Sequence, residues 1–177
     1  GLDCLLVIGE VPTREQALEV EAEWAKRAIV PDYVYKMLKT MPKETHPMTL
    51  FSQAVLALQN GSVFASKYHS MKKDVYWEAA LEDSLDLTAK LPIIAAFIHR
   101  MKVYGETKKP KYNPKLDYGA NFSRMMGVAD KKGYAELARL YFILHSDHES
   151  GNVSAHTMHL VGSALSDPYL SFSAALN

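Results

Sequence analysis

The chain of 177 residues is poor in the features that mark secreted, membrane-spanning and nucleic-acid-binding proteins. Cys4 is its only cysteine, which excludes an internal disulfide framework and fits a reducing or neutral compartment better than secretion. Its longest apolar run, LPIIAAFI at 91–98, is far below the ~20 residues that a membrane-spanning helix needs. Lysine plus arginine (20) balances aspartate plus glutamate (20), so the net charge gives no reason to expect nucleic acid or an anionic membrane as a partner.

What the sequence does contain is helical periodicity in nearly every segment. Thr13 and Gln16 have the spacing of a capping box, and apolar residues then recur three or four positions apart. The chain is therefore predicted to be all-α, with about nine helices that are mostly antiparallel neighbours joined by short turns. After the helix that follows Thr13, further helices are expected near 32–40, 47–58, 75–91, 93–104, 118–126, 132–144, 153–166 and after Pro168.

Three segments interrupt this helical pattern. LDCLLVIG at 2–9 is the one run that favours a strand. Pro92 is expected to break the longest periodic stretch, because proline lacks the N–H that an interior helical position donates. GETKKPKYN at 105–113 predicts an exposed loop, which is more typical of solvated lysines than of a phosphate site.

Four of the seven histidines lie within 145–159, in the segment HSDHESGNVSAHTMH. His145 and His148 are three residues apart, as are His156 and His159, and such pairs on helices can chelate zinc. However, the H-E-x-x-H motif is absent and no carboxylate-rich segment supplies a further ligand. We therefore expect no metal site here.

Two other interpretations of this segment remain open. Some of its residues are expected to be structural, with His159 packed in the core and either Asn152 or Ser154 capping the next helix. Alternatively, the turn binds a small anion, because Gly151 permits a tight reversal and the following helix offers unpaired N–H groups at its positive end. His148 would then donate a hydrogen bond to a carboxylate or a polarised carbonyl.

The run LARLYFILHSDHESGNVSAHTMHLVGSALSDPYLSFSAALN at 137–177 resembles the most distinctive segment of citrate synthases of the mitochondrial, eukaryotic type. The likeness covers nearly the whole chain. It extends upstream through LVIGEVPT, EWAKRA, HPM at 46–48, YWEAALEDSLDLTAKLP and LDYGANFSRMMG.

This resemblance implies that residues 1–177 are part of the helical large domain, and that the small CoA-binding domain lies outside them. It also implies a mitochondrial matrix enzyme, a homodimer through large-domain helices, acetyl-CoA as a substrate and no permanently bound cofactor. The segments 92–103 and 132–144 are candidates for the dimer face, although core packing is an alternative use for them. The reaction implied is condensation of acetyl-CoA with oxaloacetate, followed by thioester hydrolysis to citrate and CoA.

The resemblance also implies roles for individual residues. His148 corresponds to the histidine that binds oxaloacetate, and Asn152 and His145 line the same pocket. Ser154 corresponds to a serine that supports the enol-stabilising histidine. Lys73 lies where some members have a basic residue near the CoA phosphates.

None of the family's main acid–base residues is among the 177. Its enol-stabilising histidine belongs to a G-L-A-G-P-L-H-G run, which the resemblance would put after Asn177, and Ser150 stands where a glycine is expected. The chain starts at Gly1 rather than methionine. We therefore expect a piece of a longer enzyme that is inactive alone and exposes apolar surface. The alternatives are a non-catalytic helical binding module and a 2-methylcitrate synthase that uses propionyl-CoA.

Overall fold

The computed structural model describes residues 2–128, 133–146 and 151–176, and within them the side chains from residue 5 onward. These ranges contain α-helices, two short 3-10 helices and no strand, which confirms the predicted all-α class. The α-helices are α1 Leu2–Ile8, α2 Arg14–Arg27, α3 Asp32–Thr40, α4 Pro47–Leu58, α5 Val63–Lys67, α6 Tyr76–Tyr104, α7 Tyr118–Met126, α8 Tyr134–Leu144, α9 Val153–Ser163 and α10 Pro168–Ala175. The 3-10 helices are Gln59–Gly61 and Lys73–Val75.

The strand predicted for LDCLLVIG is wrong, because Leu2–Ile8 form α1. An apolar run of this length fits either structure, so its periodicity alone does not decide. A strand needs a neighbour to pair its backbone groups, whereas a helix pairs them within the segment. No strand exists in the described ranges to act as that neighbour.

The hydrophobic core is built from α3, α4, α6 and α10. Tyr35 and Phe97 meet edge to face with their ring centroids 4.9 Å apart, and both rings are buried. Ser52 of α4 and Ser173 of α10 exchange buried hydrogen bonds, with 3.0 Å between their hydroxyl oxygens. Further members of this core are Val34, Leu38, Leu50, Ala54, Val55, Leu58, Ile93, Ile94, Ala96 and Tyr169.

The break predicted at Pro92 is also wrong, since α6 runs through this position as one helix of 29 residues. Proline has no N–H to donate to the carbonyl of Thr88, four residues earlier. The hydroxyl of Tyr118, on α7, donates to that carbonyl instead, at 3.0 Å. Pro92 itself is buried, so its ring contributes to the packing that holds α6 continuous. A tertiary contact thus replaces the missing helical hydrogen bond.

Candidate functional site

Two described helix ends lie within the histidine-rich segment 145–159. His145 is the C-cap of α8, and Asn152 is the N-cap of α9. His148 and Ser150 lie outside the described residues, so their roles stay predictions. The predicted site residues His145, Asn152 and Ser154 are described, and their geometry shows which groups each can offer a ligand.

Asn152 is the residue that caps α9. Its side-chain oxygen accepts a hydrogen bond from the backbone N–H of Ala155 at 3.0 Å, which satisfies one of the unpaired donors of the first turn. That oxygen therefore already has a structural role, and the –NH2 group is the part of the amide that remains for contact with a ligand. Asn152 and Ser154 are exposed at the positive end of α9. The exposed end of this helix can consequently donate hydrogen bonds to an anion.

His145 is held against the last turn of α8. Its Nδ1 lies 2.9 Å from the carbonyl oxygen of Tyr141, and its ring stacks on the Tyr141 ring at a centroid distance of 3.9 Å. A carbonyl only accepts, so Nδ1 must carry the hydrogen. In the neutral imidazole, Nε2 is then the acceptor. This contact fixes both the tautomer and the direction of the ring.

A cleft of about 670 Å³ adjoins His145, between α2, α6, α7 and α8. One side is aromatic, because the ring centroid of Tyr118 lies 5.2 Å from that of Trp24 and 5.4 Å from that of Phe142. The other side is polar and includes an ion pair between Arg139 and a carboxylate. The lining residues are Glu21, Trp24, Thr88, Asp117, Tyr118, Gly119, Arg139, Phe142, Ile143, His145 and Ser146.

The ion pair joins Asp117, the N-cap of α7, to Arg139 on α8. Nε of Arg139 lies 3.2 Å from both carboxylate oxygens, and a terminal nitrogen lies 2.7 Å from one of them. The hydrogen bond from Arg139 lowers the pKa of the Asp117 carboxyl below its usual value. A carboxylate oxygen of Asp117 also accepts from the backbone N–H of Ala120 at 3.0 Å. Asp117 therefore begins α7 and fixes the position of α8.

Gly119 permits the close approach of α7 and α8. A Cβ at this position would lie 2.8 Å from Cγ of Arg139 and 3.3 Å from its backbone nitrogen. Contacts this short would force the helices apart. The absent side chain thus sets the position of Arg139 in the cleft.

The sequence interpretation missed Arg139 as a member of this cleft. Arg139, Phe142, Ile143 and Ser146 all line it, and they are spaced at i, i+3, i+4 and i+7. That spacing marks one face of a helix. The available signal was an arginine six residues before His145, on a helix face that also carries Phe142 and Ile143.

Two other predicted positions lie apart from the cleft. Lys73 is exposed in the 3-10 helix before α6 and does not line the cleft. His159 is exposed on α9, so the expectation that it packs in the core is wrong. α9 is short and packs chiefly on α10, and none of its described side chains is buried.

The described residues also bear on the predictions about metals and membranes. They contain no group of three His, Cys, Asp or Glu side chains that could hold a metal ion. Since His148 lies outside these residues, the absence of a metal site stays a prediction. None of the described helices is long and apolar enough to cross a membrane.

Apolar side chains are exposed on α8. Leu137, Leu140 and Leu144 share one face of the helix and are 51–65% exposed. By contrast, the apolar residues of 92–103 that were considered for a dimer face are mostly in the core, with Ile94 and Phe97 fully buried. Of the two candidate segments, α8 therefore has the available surface.

Comparisons with known proteins agree over the whole chain. Residues 3–177 match the sequence profile of the family described as "Citrate synthase, C-terminal domain". The chain is 51% identical to citrate synthase 4, mitochondrial, of Arabidopsis thaliana, with 100% of this chain and 37% of that protein covered. It is 53% identical to the mitochondrial citrate synthase of Kajikia audax, covering 100% and 38% of the two chains.

Comparison of the fold with solved structures also leads to citrate synthase. The crystal structure of citrate synthase from Pyrobaculum aerophilum superposes with a TM-score of 0.84 and 27% identity, covering 98% of this chain and 43% of that one. The chain thus spans less than half the length of these relatives. Since the family profile matches residues 3–177, the chain belongs to the citrate synthase family.

Proposed function

We propose that the protein carrying this chain condenses acetyl-CoA with oxaloacetate and releases citrate and CoA. The methyl group of the acetyl group loses a proton, its carbon forms a bond to the keto carbon of oxaloacetate, and the former keto oxygen takes up a proton. Water then cleaves the thioester C–S bond, which leaves a carboxylate on citrate and the free thiol of CoA. The observation that carries this proposal is the 51–53% identity to mitochondrial citrate synthases over all of this chain. On the same grounds we infer a mitochondrial matrix location, no permanently bound cofactor, and a large-domain position for residues 1–177.

The oxaloacetate site is assigned to the segment that joins α8 to α9. His148 would polarise the keto group, and the amide –NH2 of Asn152 would donate to a carboxylate. Two properties support the role of Asn152: its oxygen already caps α9, and its exposed amide stands at the positive end of the helix. Donors held in place before the substrate arrives stabilise developing charge without reorganisation.

The remaining assignments are supporting ones. His145 would line the oxaloacetate pocket, with its orientation fixed by the Tyr141 carbonyl. Ser154 would hydrogen-bond the enol-stabilising histidine and fix its tautomer. Lys73 is exposed, and it would act as a point charge for a CoA phosphate.

The oxaloacetate assignment is tested by calorimetry on the intact protein. His148→Ala should weaken oxaloacetate binding about tenfold or more, because a hydrogen bond to a charged group contributes roughly 1.5–3 kcal/mol. The matched control is His156→Ala, which removes an exposed histidine from the first half of α9. Unchanged affinity in His148→Ala, or an equal loss in His156→Ala, would contradict the assignment.

The activity itself is tested by following CoA release. The intact protein should release CoA from acetyl-CoA only when oxaloacetate is present, and a parallel assay with propionyl-CoA measures its acyl preference. A chain of residues 1–177 alone should release none, since the residues assigned here bind and orient substrate rather than transfer protons. Turnover by that chain would refute this division of roles.

We further propose that a second copy of the protein covers the leucine face of α8. Apolar side chains that are more than half exposed at helical spacing are typical of a surface that meets a partner. Leu140→Glu should lower the oligomeric mass measured by light scattering, because it places a charge in that interface. Leu56→Glu changes a similarly exposed leucine on α4 and is the control. A monomeric parent protein would contradict the proposal.

A further inference from the structure

A second, smaller cleft lies between the last turns of α6 and α7 and the loop at 105–113. Its volume is about 220 Å³. Five of its seven lining residues are cationic and none is acidic. The lining residues are Arg100, Lys108, Lys109, Pro110, Lys111, Arg124 and Met125.

The loop lysines predicted to be solvated therefore face two arginines across a concave surface. Arg100 and Arg124 come from different helices, so the sequence alone does not reveal this convergence. The cleft shares no lining residue with the one beside His145. α7 has Asp117 at its beginning and Arg124 in its last turn, so the two clefts adjoin opposite ends of this helix.

Nearby carboxylates neutralise only part of this charge. Arg100 donates to Glu106 from Nε at 2.9 Å, and Lys109 pairs with Asp32. In the described part of the chain, Lys108, Lys111 and Arg124 have no ion-pair partner. Five cations and two paired carboxylates leave three positive charges around one small volume.

The arginines are already held in place. A terminal nitrogen of Arg100 lies 3.4 Å from the carbonyl oxygen of Met125, and a terminal nitrogen of Arg124 donates to the carbonyl of Lys111. Nε of Arg124 is buried, and no acceptor for it lies in the ranges that the structure describes. A buried donor without an acceptor is unfavourable, and an oxyanion at this point would satisfy it.

We propose that this cleft binds a phosphate-bearing anion. Fixed guanidinium groups match the geometry of phosphate oxygens, and the lysines add point charges. The volume is below the roughly 300 Å³ at which pockets for drug-sized ligands begin, so the cleft accommodates a phosphate or diphosphate group rather than a whole nucleotide. The ligand is either a free anion or the phosphate tail of a larger molecule.

Calorimetric titration of the intact protein with diphosphate at low salt tests the site. Lys108→Gln is the principal variant, because the Lys108 ammonium makes no ion pair in the described ranges and its loss should leave the loop folded. It should weaken binding several-fold, and Arg124→Gln about tenfold or more. Lys115→Gln removes an exposed lysine from the same region that does not line the cleft, and it should change little.

Competition between ATP and diphosphate distinguishes a nucleotide phosphate tail from a free anion as the ligand. ATP that displaces diphosphate, with an affinity lowered by Lys108→Gln, assigns the cleft to a nucleotide phosphate tail. Diphosphate binding that ATP does not displace assigns it to free anions. The proposal is refuted if diphosphate does not bind at millimolar concentration, or if Lys115→Gln weakens binding as much as Lys108→Gln, since general surface charge would then be the cause.

Discussion

The continuity of α6 across Pro92 should depend on the Tyr118 hydroxyl. Tyr118→Phe removes only this hydroxyl and keeps the ring packed against Trp24 and Phe142. The Thr88 carbonyl, which lacks its usual helical donor, then loses the bond at 3.0 Å as well. A lost neutral hydrogen bond that leaves a partly buried acceptor unpaired lowers the free energy of unfolding by about 1–2 kcal/mol.

A double-mutant cycle with Pro92→Ala isolates this contact. An alanine at position 92 restores an N–H that can donate to the carbonyl of Thr88, so the hydroxyl becomes largely redundant. In the Pro92→Ala background, Tyr118→Phe should therefore lower the free energy of unfolding by only about 0.5 kcal/mol. The coupling between the two positions is then about 1 kcal/mol, whatever the effect of Pro92→Ala alone.

Urea unfolding of the four proteins, followed by far-UV circular dichroism, measures the cycle. Tyr33→Phe is the matched control, because its hydroxyl also donates to a backbone carbonyl, that of Ala57, at 3.0 Å. Tyr33 is 43% exposed, so water can replace the bond, and the loss should stay near 0.5 kcal/mol or less in both backgrounds. Equal losses from Tyr118→Phe with and without Pro92 would refute the reasoning.

Three further predictions concern stability. Gly119→Ala should lower the free energy of unfolding by about 1–3 kcal/mol, because its Cβ would lie 2.8 Å from Cγ of Arg139. Gly162→Ala is the control and should be neutral or stabilising, since its Cβ would meet only the Ser171 hydroxyl oxygen, at an ordinary contact distance of 3.8 Å. Similar urea midpoints for the two variants would contradict this. Arg139 lowers the pKa of Asp117 in the folded state, so the stability from this pair is present above the unfolded-state pKa and is lost as pH falls through the folded-state pKa. Asp117→Asn, which keeps a capping side chain, should therefore destabilise the protein at neutral pH and make acid unfolding less steep; an unchanged acid profile would count against it. Asp83→Ala should lower the free energy of unfolding by at least about 2 kcal/mol. The buried carboxylate of Asp83 accepts hydrogen bonds from the Ser62 hydroxyl at 2.6 Å and from the Val63 N–H at 2.7 Å, and the substitution removes both. A melting temperature equal to the parent's would refute this.

Local signals were enough to predict much of the helical framework. The capping box at Thr13 is present, with both of its hydrogen bonds formed, and α3 and α7 have the predicted bounds. Asn152 was one of two predicted N-caps, and it is the one that caps α9. Such features depend on residues within one turn of each other, and short-range sequence patterns describe them well.

Features that depend on distant contacts could not be predicted in this way. The donor that compensates for Pro92 belongs to another helix, 26 positions further along the chain. The cleft with Arg139 and the cationic cleft at the other end of α7 each require several helices to assemble first. The assignment of His148 rests on family resemblance, and the oxaloacetate titration remains its test.

The position of Trp24 gives this chain a built-in fluorescent probe. The chain has only two tryptophans. Trp24 lines the larger cleft and is 7% exposed, whereas Trp77, near the start of α6, is 63% exposed. An ionic quencher should suppress the emission of Trp77 and spare that of Trp24. The Trp24 fluorescence that remains would then report whether the cleft is occupied, without any attached dye.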